Sequence, residues 1–180
     1  DNTARGLNNN CLINGRENEI ANGVNNASVL GGTLGKAIRN SEIVIGGGVL
    51  SGISQTSTVQ LGAITEDATA TKLTIQSDGT SFIEVQNNSI FAFEIKVIAL
   101  CSGGVSGTAG SSHGYMGSRV GVNSKTLQDI SFVDSTGTAQ VIAAGVDPYI
   151  TIEVTGAANR ILEWFASVQI TEKKLRAVTF

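Results

Sequence analysis

Aliphatic positions recur through the first third of the chain in a repeating frame. Leu7-NNNC-Leu12 is followed by Gly15, Val24-NNAS-Val29 by Gly31 and Gly32, and Ile38-RNSE-Ile43 by Gly46 and Gly47. A looser copy runs from Ile53-SQTST-Val59 to Gly62. The unit is an aliphatic residue, four small or polar residues, a second aliphatic residue and then Gly, returning every 14 to 17 positions. That period is too short for helical repeats and predicts one coil of a β-solenoid, with short strands joined by Gly and Asn turns.

Beyond the small polar stretch TEDATAT the pattern changes. Strong β-formers bounded by turn residues predict strands at 72–76, 81–86, 90–101, 127–133, 139–143, 149–154 and 160–172. In the last of these, Leu162, Trp164, Ala166, Val168 and Ile170 share one face. Glu163, Ser167 and Gln169 oppose them, interrupted by Phe165. The 90–100 run is apolar on both faces except for Glu94 and Lys96, as expected of a central strand or one also covered by a neighbouring subunit. About seven strands separated by SDG, QNNS, STG and VDP turns indicate an antiparallel β-sandwich or jelly roll. The chain therefore reads as all-β, with a Gly/Asn-rich repeat unit over 1–68 and a β-sandwich unit over 72–180.

Composition sharpens the division. Every aromatic residue lies at or beyond Phe82, while the first 65 residues hold most of the Asn and half of the 22 Gly, a composition of turns. Each coil has only three or four aliphatic side chains to offset the entropy of ordering about 15 residues, so an isolated, aromatic-free solenoid of four coils is marginal. Several chains packing their aliphatic stripes on a common axis supply the missing core, and a threefold axis closes the assembly. A homotrimer is expected.

Charge and cysteine usage exclude other classes. Charged residues make up 15% of the chain, too few for a disordered tail. No apolar run reaches the roughly 18 to 20 residues that span a bilayer, so no membrane insertion is expected. The net charge of −3 provides no broad positive field for a phosphate backbone, and no nucleic-acid partner is expected. Cys11, Cys101 and a single His cannot assemble a Cys/His zinc site within one chain. Nothing demands a metal, nucleotide or prosthetic group, and no cofactor is expected. The chain opens at Asp1 without Met, a basic n-region or an apolar h-region, which reads as a piece of something longer with any signal peptide absent or removed.

The runs ASVLGGTLGKAIRNSEIVIGGG (27–48) and STVQLGAITEDATAT (57–71) resemble the head repeats of trimeric autotransporter adhesins, which wind into a left-handed parallel β-roll trimer. Spacing here is less regular, and Leu, Ile and Val stand where those repeats often have Ala. The FAFEIKVIA strand, the GTAGSSHGY segment and the closing ITIEVTGAANRILEWFASVQITE resemble the C-terminal β-domain of bacteriophage tail fibre and spike proteins. Trp164, Ala166, Val168, Thr171 and Glu172 occupy the places of its closing-strand pattern. The resemblance spans roughly 72–175 and implies the distal part of a virion tail fibre or spike, contacting other tail proteins and a bacterial surface glycan or protein receptor.

Candidate chemistry is sparse. His113 lies beside Ser111 and Ser112, but adjacent side chains on an extended chain point apart, and neither Ser sits in a G-x-S-x-G elbow. The segment around them lacks the order of a phosphate-binding loop and reads as a long, exposed excursion between strands, a place where binding residues collect. Ser112, His113, Tyr115 and Arg119 are therefore the expected receptor contacts, Tyr115 offering a ring and Arg119 a fork of donors. Asp129, Asp134, Asp147, Glu153 and Glu163 leave a glycosidase pair open, since such pairs are set by spatial separation. The absence of exposed aromatic platforms in the first half favours binding without turnover, and the protein is expected not to be an enzyme. Trp164 and Phe165 read as core or interface anchors, Cys101 as a small buried hydrophobe, and the 172–176 EKKLR cluster as a solvated strand end.

The expected molecule is thus an elongated homotrimer with a β-solenoid or β-prism stalk and a jelly-roll-like head, non-catalytic, in a virion tail. A bacterial surface adhesin, a polysaccharide-depolymerising spike, and a capsid decoration or tail-assembly component are the alternatives.

Overall fold

The computed structural model describes residues 1–48, 53–86, 88–101, 107–119, 122–127, 138–142 and 149–174. Among these residues it is all-β, with no helix. The repeat frame folds into two parallel ladders. One joins β1 (Thr3–Ala4), β3 (Glu19–Ile20) and β5 (Lys36–Ala37). The other joins β2 (Leu12–Ile13), β4 (Ser28–Gly31) and β6 (Ile43–Gly46). Val29 and Val44 of the second ladder meet Ile20 and Ala37 of the first in a small core with Val24 and Ala27.

The corners explain the composition. Asn10, Asn26 and Ser41 occupy equivalent corners at φ of 53°, 55° and 55°, a left-handed conformation that Asn tolerates better than most residues. Asn side chains also stitch one step to the next: Asn9 N donates to Asn25 Oδ1 (2.9 Å), and Asn25 N donates to Asn40 Oδ1 (2.8 Å). On the other ladder Asn18 N donates to Asn2 Oδ1, and Gly35 N donates to Asn18 Oδ1. These bonds span 15 to 17 residues, which sets the period read from the sequence. The recurrent Gly answers a steric demand, because a Cβ on Gly32, at φ +86°, would sit inside the Gly46 carbonyl of the next step.

The parallel stack ends at β6. There the chain reverses into β7 (Ile53–Thr65), which pairs antiparallel with β6. Among the described residues no further strand pairs with β5, and the Gln55 side chain takes that place: Lys36 N donates to Oε1 (2.8 Å) and Nε2 donates to Lys36 O (3.0 Å). A primary amide matches a peptide edge in both donor and acceptor, so Gln55 caps the ladder.

From β7 onward the sheet is antiparallel. It continues through β16 (Leu162–Lys174), β11 (Ser89–Cys101), β12 (Gly107–Arg119) and β13 (Val122–Leu127), with β9 (Thr74–Ile75) also on β7. With the second ladder these form one nine-stranded mixed sheet. A four-stranded sheet of β8 (Ala70–Lys72), β10 (Ile83–Glu84), β14 (Thr138–Ile142) and β15 (Tyr149–Thr155) lies beside it. Ile83, Ile150, Ile152 and Val154 of the smaller sheet share a buried cluster with Leu61, Ile95, Val97, Leu162, Trp164 and Val168 of the larger. Trp164 Nε1 donates to Thr65 Oγ1 (2.9 Å), satisfying the one polar atom of this large core side chain.

Several sequence expectations change here. The 102–119 stretch, read as an exposed excursion, contains the 13-residue strand β12, paired along its length with β11. Its Gly, Ser and Ala content conceals a strand because intrinsic β preference is weak there, and the hydrogen-bonding edge of β11 supplies what the side chains do not. The predicted 72–76 strand divides at Leu73, where the chain passes from β8 on β15 to β9 on β7. The expected 127–133 strand falls mostly outside the described residues. Strand β7 lies N-terminal to the expected boundary, yet it pairs residue by residue with β16.

Replacing Gln55 with Leu removes both amide bonds and leaves a partly buried N–H and C=O of Lys36 unpaired. The expected loss is about 1–3 kcal/mol, read as a lower denaturant midpoint with an unchanged m-value. An unaltered midpoint contradicts the capping role.

Candidate functional site

Among the described side chains of the nine-stranded sheet, one face is buried and the other meets water. On that outer face, strand register places Ile98 opposite Phe165 and Phe165 opposite Gly62; in the next row Leu100 stands opposite Glu163 and Glu163 opposite Ile64. Ile64 (59%), Ile98 (52%), Leu100 (58%) and Phe165 (41%) are thus exposed neighbours on three adjacent strands. At the other end Leu12, Leu30, Ile43 and Ile45 are exposed on the second ladder, and Ile90 on β11. Between the two groups the face is polar, with Thr56, Thr58, Gln60, Ser167 and Gln169. Isolated exposed aliphatics are ordinary, but clustering of this kind marks a contact surface. A shallow groove of about 550 Å³ opens there, lined among others by Ile45, Thr56, Ile90, Ala92 and Thr171.

The expected receptor residues lie on β12 at this part of the sheet. Ser112 pairs with Ile95, His113 with Glu94, Tyr115 with Ala92 of the groove, and Arg119 with Val122 of β13. They are strand positions rather than residues of a loop. Of the carboxylates, Glu153 is half-buried on β15 and Glu163 exposed on β16, in different sheets; Asp129, Asp134 and Asp147 fall outside the described residues.

The charged groups that sequence reasoning missed lie between the two cores. Arg39 (4% exposed side chain) and Glu42 (0%) form a buried ion pair, Nη1 to Oε1 at 2.7 Å. Glu42 Oε2 also accepts from Ile38 N and Arg39 N, and Arg39 Nη2 donates to Glu84 O (2.7 Å), pinning the last ladder corner to β10. Glu172 is 2% exposed, and neither carboxylate oxygen has a hydrogen-bond partner among the described residues. Ser89, whose hydroxyl lies against it, donates instead to Gln86 O (2.6 Å). Burial pushes the Glu172 carboxyl above its usual range; Arg39 opposes that shift and Glu42 reinforces it. The EKKLR cluster is therefore not simply a solvated end. Alternation along β16 already places position 172 in phase with Trp164 and Ile170, a signal present in the sequence.

No protein-family model matches the chain, and no curated protein matches it. Among the solved structures that resemble it are two phage tailspike proteins. One is a tailspike protein of the Acinetobacter baumannii bacteriophage Fri1, a capsular polysaccharide depolymerase, at TM-score 0.44 and 10% identity, covering 82% of this chain and 27% of that one. Another is the tailspike protein of Acinetobacter baumannii phage AM24, at TM-score 0.31 and 8% identity, covering 64% of this chain and 27% of that one. The chain spans about a quarter of the length of either structure. The expectation of a non-enzyme is corrected by this finding. The first of these proteins is a capsular polysaccharide depolymerase.

Glu172→Gln tests the buried carboxyl. Well below pH 4.5 the group is protonated in the folded and unfolded chain alike, so wild type and variant have matching stability. As pH rises, the unfolded chain ionises first and the wild type loses stability until the raised folded value is passed. The variant is expected to be the more stable at neutral pH, with the gap closing in acid, in denaturant titrations at both. A gap that widens in acid contradicts this.

Proposed function

We propose that the chain is a structural part of a bacteriophage tail fibre or spike, carried in the virion tail, which brings the particle against a bacterial surface glycan or protein. In this reading it is a homotrimer. Residues 1–68, which hold the parallel ladders from β1 to β6, are one protomer's share of a β-solenoid or β-prism stalk, and 72–180 is a β-sandwich head. The observation that carries the proposal is the outer face of the nine-stranded sheet, where Ile64, Ile98, Leu100 and Phe165 remain in water on a single chain. Identical copies meeting on that face remove this apolar surface from solvent, and three linked heads give avidity even where each contact is weak. Ser112, His113, Tyr115 and Arg119 on β12 are the proposed receptor contacts.

Purified protein is expected to bind susceptible bacteria from a panel of differing surface glycans and to compete with infection. Substituting Asp at both Ile98 and Leu100 is expected to lower cell binding at least tenfold through loss of avidity, with the strand signature in circular dichroism retained. Reducing ends assayed in the same incubations report whether the glycan is cleaved as well as bound. Absence of cell binding and competition at saturating protein contradicts the attachment role.

A further inference from the structure

A second depression lies away from the outer sheet face, where the ladders meet the small sheet. It is a cleft of about 540 Å³. Asn22 and Asn40 come from ladder corners on one side; Thr80, Ser81, Phe82, Glu84 and Tyr149 come from the other. Its wall is held firmly. Thr80 N and Ser81 N donate to Asp78 Oδ1 (2.8 and 2.7 Å), and the Arg39 guanidinium bonded to Glu84 O ties both sides together.

The lining chemistry is specific. The rings of Phe82 and Tyr149 lie 6.1 Å apart at 58°, both half-buried, so each presents part of its surface to the cleft. Around them stand two primary amides, two hydroxyls and the exposed carboxylate of Glu84. Among the described lining residues the sole cation is Arg39, which is buried and already engaged by Glu42 and Glu84 O. Just outside the lining, the exposed Lys72 places its ammonium 5.8 Å from the Phe82 ring centroid, a cation held against the aromatic pair. An aromatic pair edged by amides and hydroxyls suits a ligand with alternating C–H faces and hydroxyl groups.

From this juxtaposition we infer that the junction cleft binds a saccharide, and that it takes neutral or amino sugars in preference to acidic ones. The inference rests on the surface-attachment reading above and gives it a second contact point, on ladder corners and the small sheet. Glu84, within the lining, is the discriminating residue: its carboxylate repels a uronate and accepts hydrogen bonds from hydroxyl or ammonium groups, while the Lys72 ammonium outside the lining is engaged on the Phe82 ring.

Calorimetric titration of the full chain with chitotetraose, maltotetraose and tetragalacturonate tests it. At least one of the first two is expected to bind, and tetragalacturonate at least tenfold more weakly. Phe82→Ala is expected to weaken binding at least tenfold; Phe82→Leu, which retains the packing, is expected to give the same direction of change if the former fails to fold. Glu84→Gln is expected to narrow the gap between neutral and acidic sugars. No heat with either neutral or amino tetrasaccharide, or binding unmoved by the Phe82 variants, overturns the cleft assignment. Cell binding measured in parallel separates the two readings: cleft variants that attach as wild type overturn this inference alone, whereas wild type that never attaches overturns the attachment role.

Discussion

Backbone hydrogen bonding across one continuous sheet determines where every other part of the chain lies. From β2 to β13 the backbone is paired without a gap in strand order, first parallel and then antiparallel. Pairing of this kind fixes which side chains share a face, because a slip of a single residue would exchange the two sides. Once β11, β16 and β7 are in register, Phe93, Ile95, Val97, Trp164, Ala166 and Val168 must face the small sheet. Ile98, Leu100 and Phe165 must then face outward. The exposed aliphatic surface follows from the same register that builds the core.

The transition between parallel and antiparallel pairing sets the chemistry of the interior. A parallel stack leaves an unpaired edge where it ends, and Gln55 satisfies that edge with a side-chain amide. The ladder corner beside it is anchored by a guanidinium, Arg39, that bridges Glu42 and the backbone of β10. Buried ion pairs add little net stability relative to apolar packing, but breaking one partner is costly, so such a pair holds geometry more than it adds strength. At Glu172 nearby, burial outweighs the attraction of Arg39 and Lys174.

Much of the backbone plan was legible in the sequence. The aliphatic frame with its following Gly marked the ladder steps, because side-chain alternation and Gly-only approaches both leave a compositional trace, as at Gly32. The alternation of β16 was equally plain. Strand β12 was not, since GTAGSSHGYMGSR is mostly Gly, Ser, Ala and Thr with no apolar alternation, and its pairing is dictated by the neighbouring strand. Arg39 and Glu42 were hidden for a different reason. Within the Ile38-to-Ile43 frame they count as polar corner residues, and only the approach of β10 buries them. The cleft between Asn40 and Tyr149 joins positions far apart in sequence, so no local pattern announces it.

Sedimentation equilibrium of the intact chain at micromolar concentration tests the central claim most directly, namely that the outer sheet face is covered by identical copies. A mass about three times 18.6 kDa is expected, holding on dilution until unfolding begins. A stable, folded species of 18.6 kDa at every concentration would contradict it.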